Sequence, residues 1–156
     1  MEARPRTPMC PSSRPEEDGA IILGVVGGTV TEPRVGYLRR PIPASAGFIA
    51  LDGPVTPTEV FRFSAPCRES ACPQFRSGRC QIGVRMVRIL PTVVDQLPAC
   101  SIRPDCRWWQ QEGKGACLRC PAIVTDNYSP SPEMRQVAGV AGDPGAVAHD
   151  LVPRKS

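Results

Sequence analysis

Seven of the chain's eight cysteines lie between residues 67 and 120, and this clustering restricts the fold more than any other feature of the sequence. Several of them stand beside proline, glycine or arginine, which is not typical of cysteines that simply fill a core. We therefore expect this segment to fold around something that its sulfur atoms hold. The seven are Cys67, Cys72, Cys80, Cys100, Cys106, Cys117 and Cys120.

Disulfides are the less favoured explanation for these sulfur atoms. The first nineteen residues contain no apolar core of a secretory signal, and the longest apolar run is too short to cross a bilayer. We therefore expect a cytoplasmic protein with no membrane partner, in which thiols stay reduced. The odd number of clustered cysteines also argues against a framework of paired bridges.

A zinc site remains an alternative. Structural zinc is usually held by two close pairs of ligands, with two to four residues between the members of each pair. Cys117 and Cys120 form such a pair, and Cys67 and Cys72 form an acceptable second one. A zinc site of this composition leaves three cysteines without a role, namely Cys80, Cys100 and Cys106.

An iron–sulfur cluster fits the irregular spacing better. A [4Fe–4S] cubane binds each thiolate at a separate iron corner, so its ligands need not converge on one point. The single histidine, His149, is distant from the cysteines, which favours thiolate ligands. The densest four cysteines are predicted to hold one cluster, and they are Cys100, Cys106, Cys117 and Cys120.

The other three clustered cysteines have more than one interpretation. In one interpretation, Cys67, Cys72 and Cys80 serve a second cluster that has an open iron or lacks one iron. Alternatively, one of them joins Cys117 and Cys120 in a mixed ligand set. Cys10 stands far away in a segment rich in proline, serine and charge, and we predict that it is a spare thiol.

The apolar pattern predicts an α+β fold, with a small antiparallel strand layer packed on a helical, cysteine-rich half. Residues 1–19 are predicted to be a disordered tail, 20–63 a β-rich subdomain, 64–126 the cysteine-rich helical region and 127–156 a flexible tail. Strands are expected at 20–26, 35–39, 47–51 and 58–63. The sequence GVVGGT at 24–29 is interpreted as a hairpin turn.

Two helices are expected in the cysteine-rich region. An apolar stripe runs through Ile82, Met86, Leu90, Val93 and Leu97. It predicts a helix that begins at Cys80 and is kinked or restarted at Pro91.

A shorter helix is predicted at Cys106–Glu112, capped by Asp105 and ended by Gly113. Both predicted helices then begin at a cysteine, where free backbone N–H groups favour a thiolate. Adjacent residues on a helix point about 100° apart. One of the indoles of Trp108 and Trp109 is therefore expected to shield a cluster.

The excess of basic residues in the cysteine-rich region indicates what kind of partner the protein binds. Between residues 62 and 119 the chain has ten basic and four acidic residues, and arginines alternate with cysteines. This favours arginine as a counter-charge for bound thiolates, with a nucleic-acid surface as the alternative. We predict an electron-transfer or accessory protein for a larger, acidic redox or biosynthetic enzyme rather than an enzyme itself. The alternatives are a cluster-based redox sensor that binds nucleic acid and a zinc-stapled interaction module.

Overall fold

In the computed structural model, which describes residues 7–44, 56–127 and 130–139, four antiparallel strands form a sheet that packs against short helices. The strands are β1 (Met9–Ser13), β2 (Ile21–Gly28), β3 (Pro33–Pro43) and β4 (Phe61–Pro66). Their order across the sheet is β1-β4-β2-β3. The predicted α+β class is therefore confirmed.

A hairpin joins β2 and β3, but its turn follows the predicted segment, because residues 24–28 of GVVGGT belong to β2. Val26 pairs with Val35 and Gly28 with Pro33, so the chain reverses over residues 29–32. Gly28 has a φ of +77°, in the region where a side chain is strained. An ideal Cβ at Gly28 would lie 2.5 Å from the carbonyl oxygen of Glu32, so the turn requires glycine here.

Strand β1 lies within the segment that was predicted to be disordered, and that prediction was wrong for Met9–Ser13. Met9 pairs with Pro66 and Cys10 with Ala65, which makes β1 an edge of the sheet. The strand was missed because its sequence, MCPSS, lacks the apolar alternation of a typical strand. Pro11 is tolerated because an edge strand does not need every backbone donor.

The predicted strand at 58–63 begins late. Residues Pro57–Val60 form a helical turn, α1, and extended structure starts only at Phe61. Pro57 occupies the first helical position, where its fixed φ and missing N–H suit a helix start. The strand expected at 47–51 falls outside the described residues.

Helix α2 (Gln81–Ile89) begins after Cys80 and stops before Pro91. The prediction that this helix continues or restarts through Val93 and Leu97 was wrong. Proline lacks the N–H that would continue the hydrogen-bond ladder, and it forces the preceding residue into extended geometry. Leu90 accordingly has a ψ of 147°.

The second predicted helix forms as α3 (Arg107–Glu112) and ends at Gly113, as expected. Its N-cap is Cys106, however, because Asp105 lies in a preceding 3-10 turn, Arg103–Asp105. The predicted cap by Asp105 was therefore wrong. Helix α4 (Lys114–Cys117) follows directly.

A further helix, α5 (Pro132–Ala138), lies in the segment predicted to be a flexible tail, so that prediction was wrong for these residues. The Ser131 hydroxyl accepts a hydrogen bond from the amide N–H of Met134, and Gly139 ends the helix with a φ of 70°. Arg85 of α2 donates to the carbonyl oxygen of Val137 at 2.8 Å, which ties α5 to the rest of the fold. Residues 140–156, including His149, lie outside the described residues.

The core has two parts, one on each side of strand β2. Ile22 packs with Phe63 in one cluster, whereas Leu23 packs with Trp108 and Met86 in the other, between the sheet and the helices. Both Ile22 and Leu23 are buried, which fits a strand that is covered on both faces. None of the helices in the described ranges is long and apolar enough to cross a bilayer.

The β2–β3 turn yields a paired test of this fold. We expect Gly28→Ala to lower the free energy of unfolding by at least about 1–2 kcal/mol, because alanine is strained at positive φ. The matched control is Gly36→Ala, where an added Cβ has no neighbour within 4 Å. Gly36→Ala should raise the free energy of unfolding by about 0.5–1 kcal/mol, because alanine loses less conformational freedom than glycine in a strand. Urea unfolding of both variants at equal metal content measures the difference, and equal stabilities would contradict the turn geometry.

Candidate metal centres

The four cysteines predicted to hold one cluster line a single cavity, which we call the first site. They reach it from separate parts of the chain. Cys100 lies in the loop after α2, Cys106 caps α3 and Cys117 ends α4. Cys120 begins a 3-10 turn, Cys120–Ala122. The packing of α3 and α4 on the sheet therefore brings together sulfur atoms that are up to twenty residues apart in sequence.

A fully buried arginine, Arg62, points into this site from β4. Its side chain is 0% exposed. One guanidinium nitrogen donates to the Sγ atom of Cys120 at 2.6 Å. The others donate to the carbonyl oxygens of Pro11, Cys120 and Ile123 at 2.6, 2.8 and 3.0 Å.

Arg62 forms no ion pair with any carboxylate among the described residues. Burial acts to lower its pKa, but the nearby Cys120 and Tyr37 outweigh burial and hold the pKa above its ordinary value. A buried cation without a charged partner is costly. The surroundings of Arg62 in the first site therefore favour a negatively charged group.

Two further polar groups of the first site lack a partner among the described residues. The Tyr37 hydroxyl and the Nε atom of Arg103 are buried without a hydrogen bond. Arg103 also acts on Cys117, whose pKa it lowers against the larger, opposite effect of burial. Like Arg62, these groups are directed toward the cysteines rather than toward carboxylates.

Burial disfavours the charged form of the thiols in this site. It raises the pKa of Cys100 and Cys117, and it raises that of Cys106 to about 12. These three thiols therefore favour the protonated form at neutral pH unless a cation bonds to them. A metal centre that binds them must displace these protons, so loading is coupled to pH.

The free space between the four sulfur atoms is small, about 20 Å³. A cavity of this size holds about one water molecule. In the part of the chain that the structure describes, no three His, Cys, Asp or Glu side chains converge tightly enough to hold one metal ion. The donor set fits a soft, anionic metal–thiolate centre. A cubane would require the cysteine side chains to rotate outward.

The other cysteines form a second group, which we call the second site. Cys67, Cys72 and Cys80 line a separate cavity of about 390 Å³. Cys10, predicted to be a spare thiol, lines the same cavity. The mixed set of a triplet cysteine with Cys117 and Cys120 does not arise, because the two groups line different cavities.

Backbone N–H groups face several of the sulfur atoms in a repeated pattern. The amide of Glu69 donates to Cys67 Sγ, and that of Gln74 donates to Cys72 Sγ, each at 3.4 Å and each two residues further on. Cys80 and Cys106 are the N-cap residues of α2 and α3, so both precede helices as predicted. Neither sulfur accepts a capping hydrogen bond from its helix. Amide donors to sulfur stabilise bound thiolates and tune the potential of a cluster.

Trp108 lies between the two sites and lines both cavities. Its indole N–H donates to Cys80 Sγ at 3.4 Å. On the other side, the guanidinium of Arg62 lies 5.5 Å from the centre of the Trp108 ring. The predicted shielding role therefore falls to Trp108, which is 2% exposed, whereas Trp109 lies under Arg103.

Sequence reasoning missed Arg62, Tyr37 and Cys10 as parts of these sites. The alternation of Arg62 with Phe61 and Phe63 places it on the opposite face of the strand from the two rings, and alternation alone does not indicate that this face is also covered. The signal that pointed to it was the general alternation of arginine with cysteine. No protein-family model, curated protein or solved structure matches this chain. The argument about function therefore rests on the geometry of the two sites.

The buried charge of Arg62 yields a stability test. We expect Arg62→Met to lower the free energy of unfolding by about 3–5 kcal/mol, the usual cost of breaking a buried charged pair. Arg88 is exposed on α2 and provides the matched control, because Arg88→Met should stay within about 0.5 kcal/mol of the unaltered chain. Denaturant unfolding of metal-loaded protein measures both. Equal stabilities would show that Arg62 is not part of a charged centre.

Proposed function

We propose that this protein binds a [4Fe–4S] cluster through Cys100, Cys106, Cys117 and Cys120 and serves as an electron-transfer or accessory protein for a larger redox or biosynthetic enzyme. The observation that carries the proposal is the fully buried Arg62, which donates to Cys120 Sγ without a carboxylate partner. A bound cluster supplies one-electron redox chemistry. The residues of this chain hold it, exclude water from it and set its charge environment.

The burial of the first site supports a redox role. Trp108 covers one side of the cavity, and Leu23 and Ala116 line it with apolar surface. Low solvent exposure, hydrogen bonds to sulfur and nearby positive charge are the means by which a protein sets the potential of a cluster. Arg62 and Arg103 supply the positive charge.

Docking on a partner would use arginines that lie at the surface and outside both cavities. Arg76 and Arg79 are exposed in the loop between Cys72 and Cys80 and line neither cavity. Such a surface would steer the protein toward an acidic partner, with an association rate that falls as salt rises. Arg62, Arg85 and Arg119 make internal hydrogen bonds to carbonyl oxygens instead. This use of arginine inside the fold weakens the alternative of a nucleic-acid-binding sensor.

A zinc-stapled interaction module is the second candidate. Four thiolates around one zinc ion would also provide negative charge for Arg62. The cysteine side chains of the first site would have to move closer together to bind one ion, because no three of the described ligands converge on one point. The two candidates differ in colour, in the metal and in the presence of inorganic sulfide.

Metal analysis of protein purified without oxygen separates these candidates. We expect brown protein with at least about four iron and four sulfide per chain, as one cubane requires. Iron, sulfide and zinc are measured on the same sample as the visible spectrum. Colourless protein with about one zinc per occupied site would contradict the cluster and favour the interaction module.

Variants of the first site test its ligand set. We expect Cys117→Ser and Cys106→Ser to lose the cluster of this site and to unfold partly, because metal binding is coupled to folding. The matched control is Ser101→Ala, an exposed position beside Cys100. Its iron and sulfide content should equal that of the unaltered chain. Full iron content and full stability in both cysteine variants would refute this ligand assignment.

A further inference from the structure

The second site contains four thiols, because the pairing of β1 with β4 brings Cys10 to the three cysteines nearby. Cys10 lies opposite Ala65, two residues before Cys67. The amide of Cys67 donates to the carbonyl oxygen of Pro8 at 2.8 Å, which extends the pairing past the end of β4. Cys10 and Cys67 are thus held side by side by backbone hydrogen bonds.

A short hairpin brings the other two cysteines to the same cavity. Strands β5 (Phe75–Arg76) and β6 (Arg79–Cys80) pair so that Cys80 lies opposite Phe75. The amide of Phe75 donates to the carbonyl oxygen of Cys72 at 3.0 Å. The hairpin turns at Ser77 and Gly78, both with positive φ, as a tight primed turn requires. Backbone pairing therefore fixes the positions of all four thiols.

Three arginines line the cavity, and each is paired with a carboxylate. Arg14 pairs with Asp126, Arg68 with Glu17 and Arg107 with Glu69. Arg107 also interacts with Cys67. Its Nε atom is buried without a hydrogen-bond partner among the described residues. This unpaired donor beside Cys67 is suited to an anionic occupant.

Three of the four sulfur atoms of the second site accept a hydrogen bond from an N–H group. Amides two residues further on donate to Cys67 and Cys72. The sulfur of Cys80 accepts from the indole N–H of Trp108.

The turn after Cys67 is strained in a way that serves this pattern. Glu69 has a φ of 49°, which a residue other than glycine rarely adopts, and its amide is the one that faces Cys67. Strain of this kind is typical of functional sites.

We propose that Cys10, Cys67, Cys72 and Cys80 bind a second iron–sulfur cluster. Cys10 supplies the fourth ligand, so this cluster has no open iron for a substrate. The cavity of about 390 Å³ has room for a group much larger than a single ion. On binding, each thiol transfers its proton to solvent as its sulfur bonds to iron. This site uses none of the four cysteines of the first site, so the inference does not depend on which metal the first site holds.

Iron and sulfide analysis of a site-two variant tests the proposal. With clusters in both sites the unaltered chain should hold about eight iron and eight sulfide, and Cys10→Ala should lose about four of each. Ser101→Ala is the control, because Ser101 is exposed and lines neither cavity. It should keep the full content. Iron content in Cys10→Ala equal to that of the control would overturn the proposal.

A second variant guards against misfolding of β1. Cys72 lies in a partly exposed loop outside the four-stranded sheet, so Cys72→Ala should lose the same iron while keeping the circular dichroism of the sheet. If Cys117→Ser loses iron but both site-two variants keep it, the first site stands and this inference fails. If the reverse occurs, the second site stands and the first fails. Loss of one zinc ion in place of iron would also overturn a cluster in the second site.

Discussion

The buried guanidinium of Arg62 is the interaction on which the rest of the structure depends. It joins three parts of the chain, because it lies on β4, donates to Pro11 on β1 and donates to Cys120 and Ile123 in the cysteine-rich region. Removing a positive charge from water is among the most costly steps in folding. This chain takes that step without a carboxylate partner among the described residues. Backbone carbonyl oxygens and the sulfur of Cys120 are its acceptors instead. The proposal that thiolates of a metal centre supply the compensating charge starts from this contact.

Trp108 lines both cavities, so the two sites are adjacent and would interact if both were occupied. Trp108 contacts Cys80 of the second site through its indole N–H, and Arg62 of the first site lies over its ring. A change of charge in one site would shift the redox potential of a cluster in the other, because electrostatic interactions are strong where water is excluded. Two clusters in this arrangement would have coupled reduction potentials, whereas two zinc ions would only stabilise the fold.

The sequence grouped the four cysteines that line the first cavity, but it did not indicate that Arg62 lies beside them. Cys100, Cys106, Cys117 and Cys120 were grouped from their density along the chain, and the helices that position them have strong local signals at Cys106 and Gly113. Arg62 was missed because strand alternation predicts two faces and does not tell which face is covered. Cys10 was misread because β1 is polar and gains its structure from pairing with β4, a contact distant in sequence. The local effects of proline account for two further errors. Pro57 favours a helix start where a strand was predicted, and Pro91 ends α2 where the helix was predicted to continue or restart.

X-ray absorption at the iron and zinc edges tests the central claim most directly, because it reports what surrounds the metal in the intact protein. The protein, purified without oxygen, should show iron in a shell of sulfur alone, with further iron atoms as its nearest metal neighbours, as in a cubane. Negligible iron, with zinc in a four-sulfur shell and no metal neighbour, would contradict a cluster and make Arg62 the counter-charge of a structural zinc site.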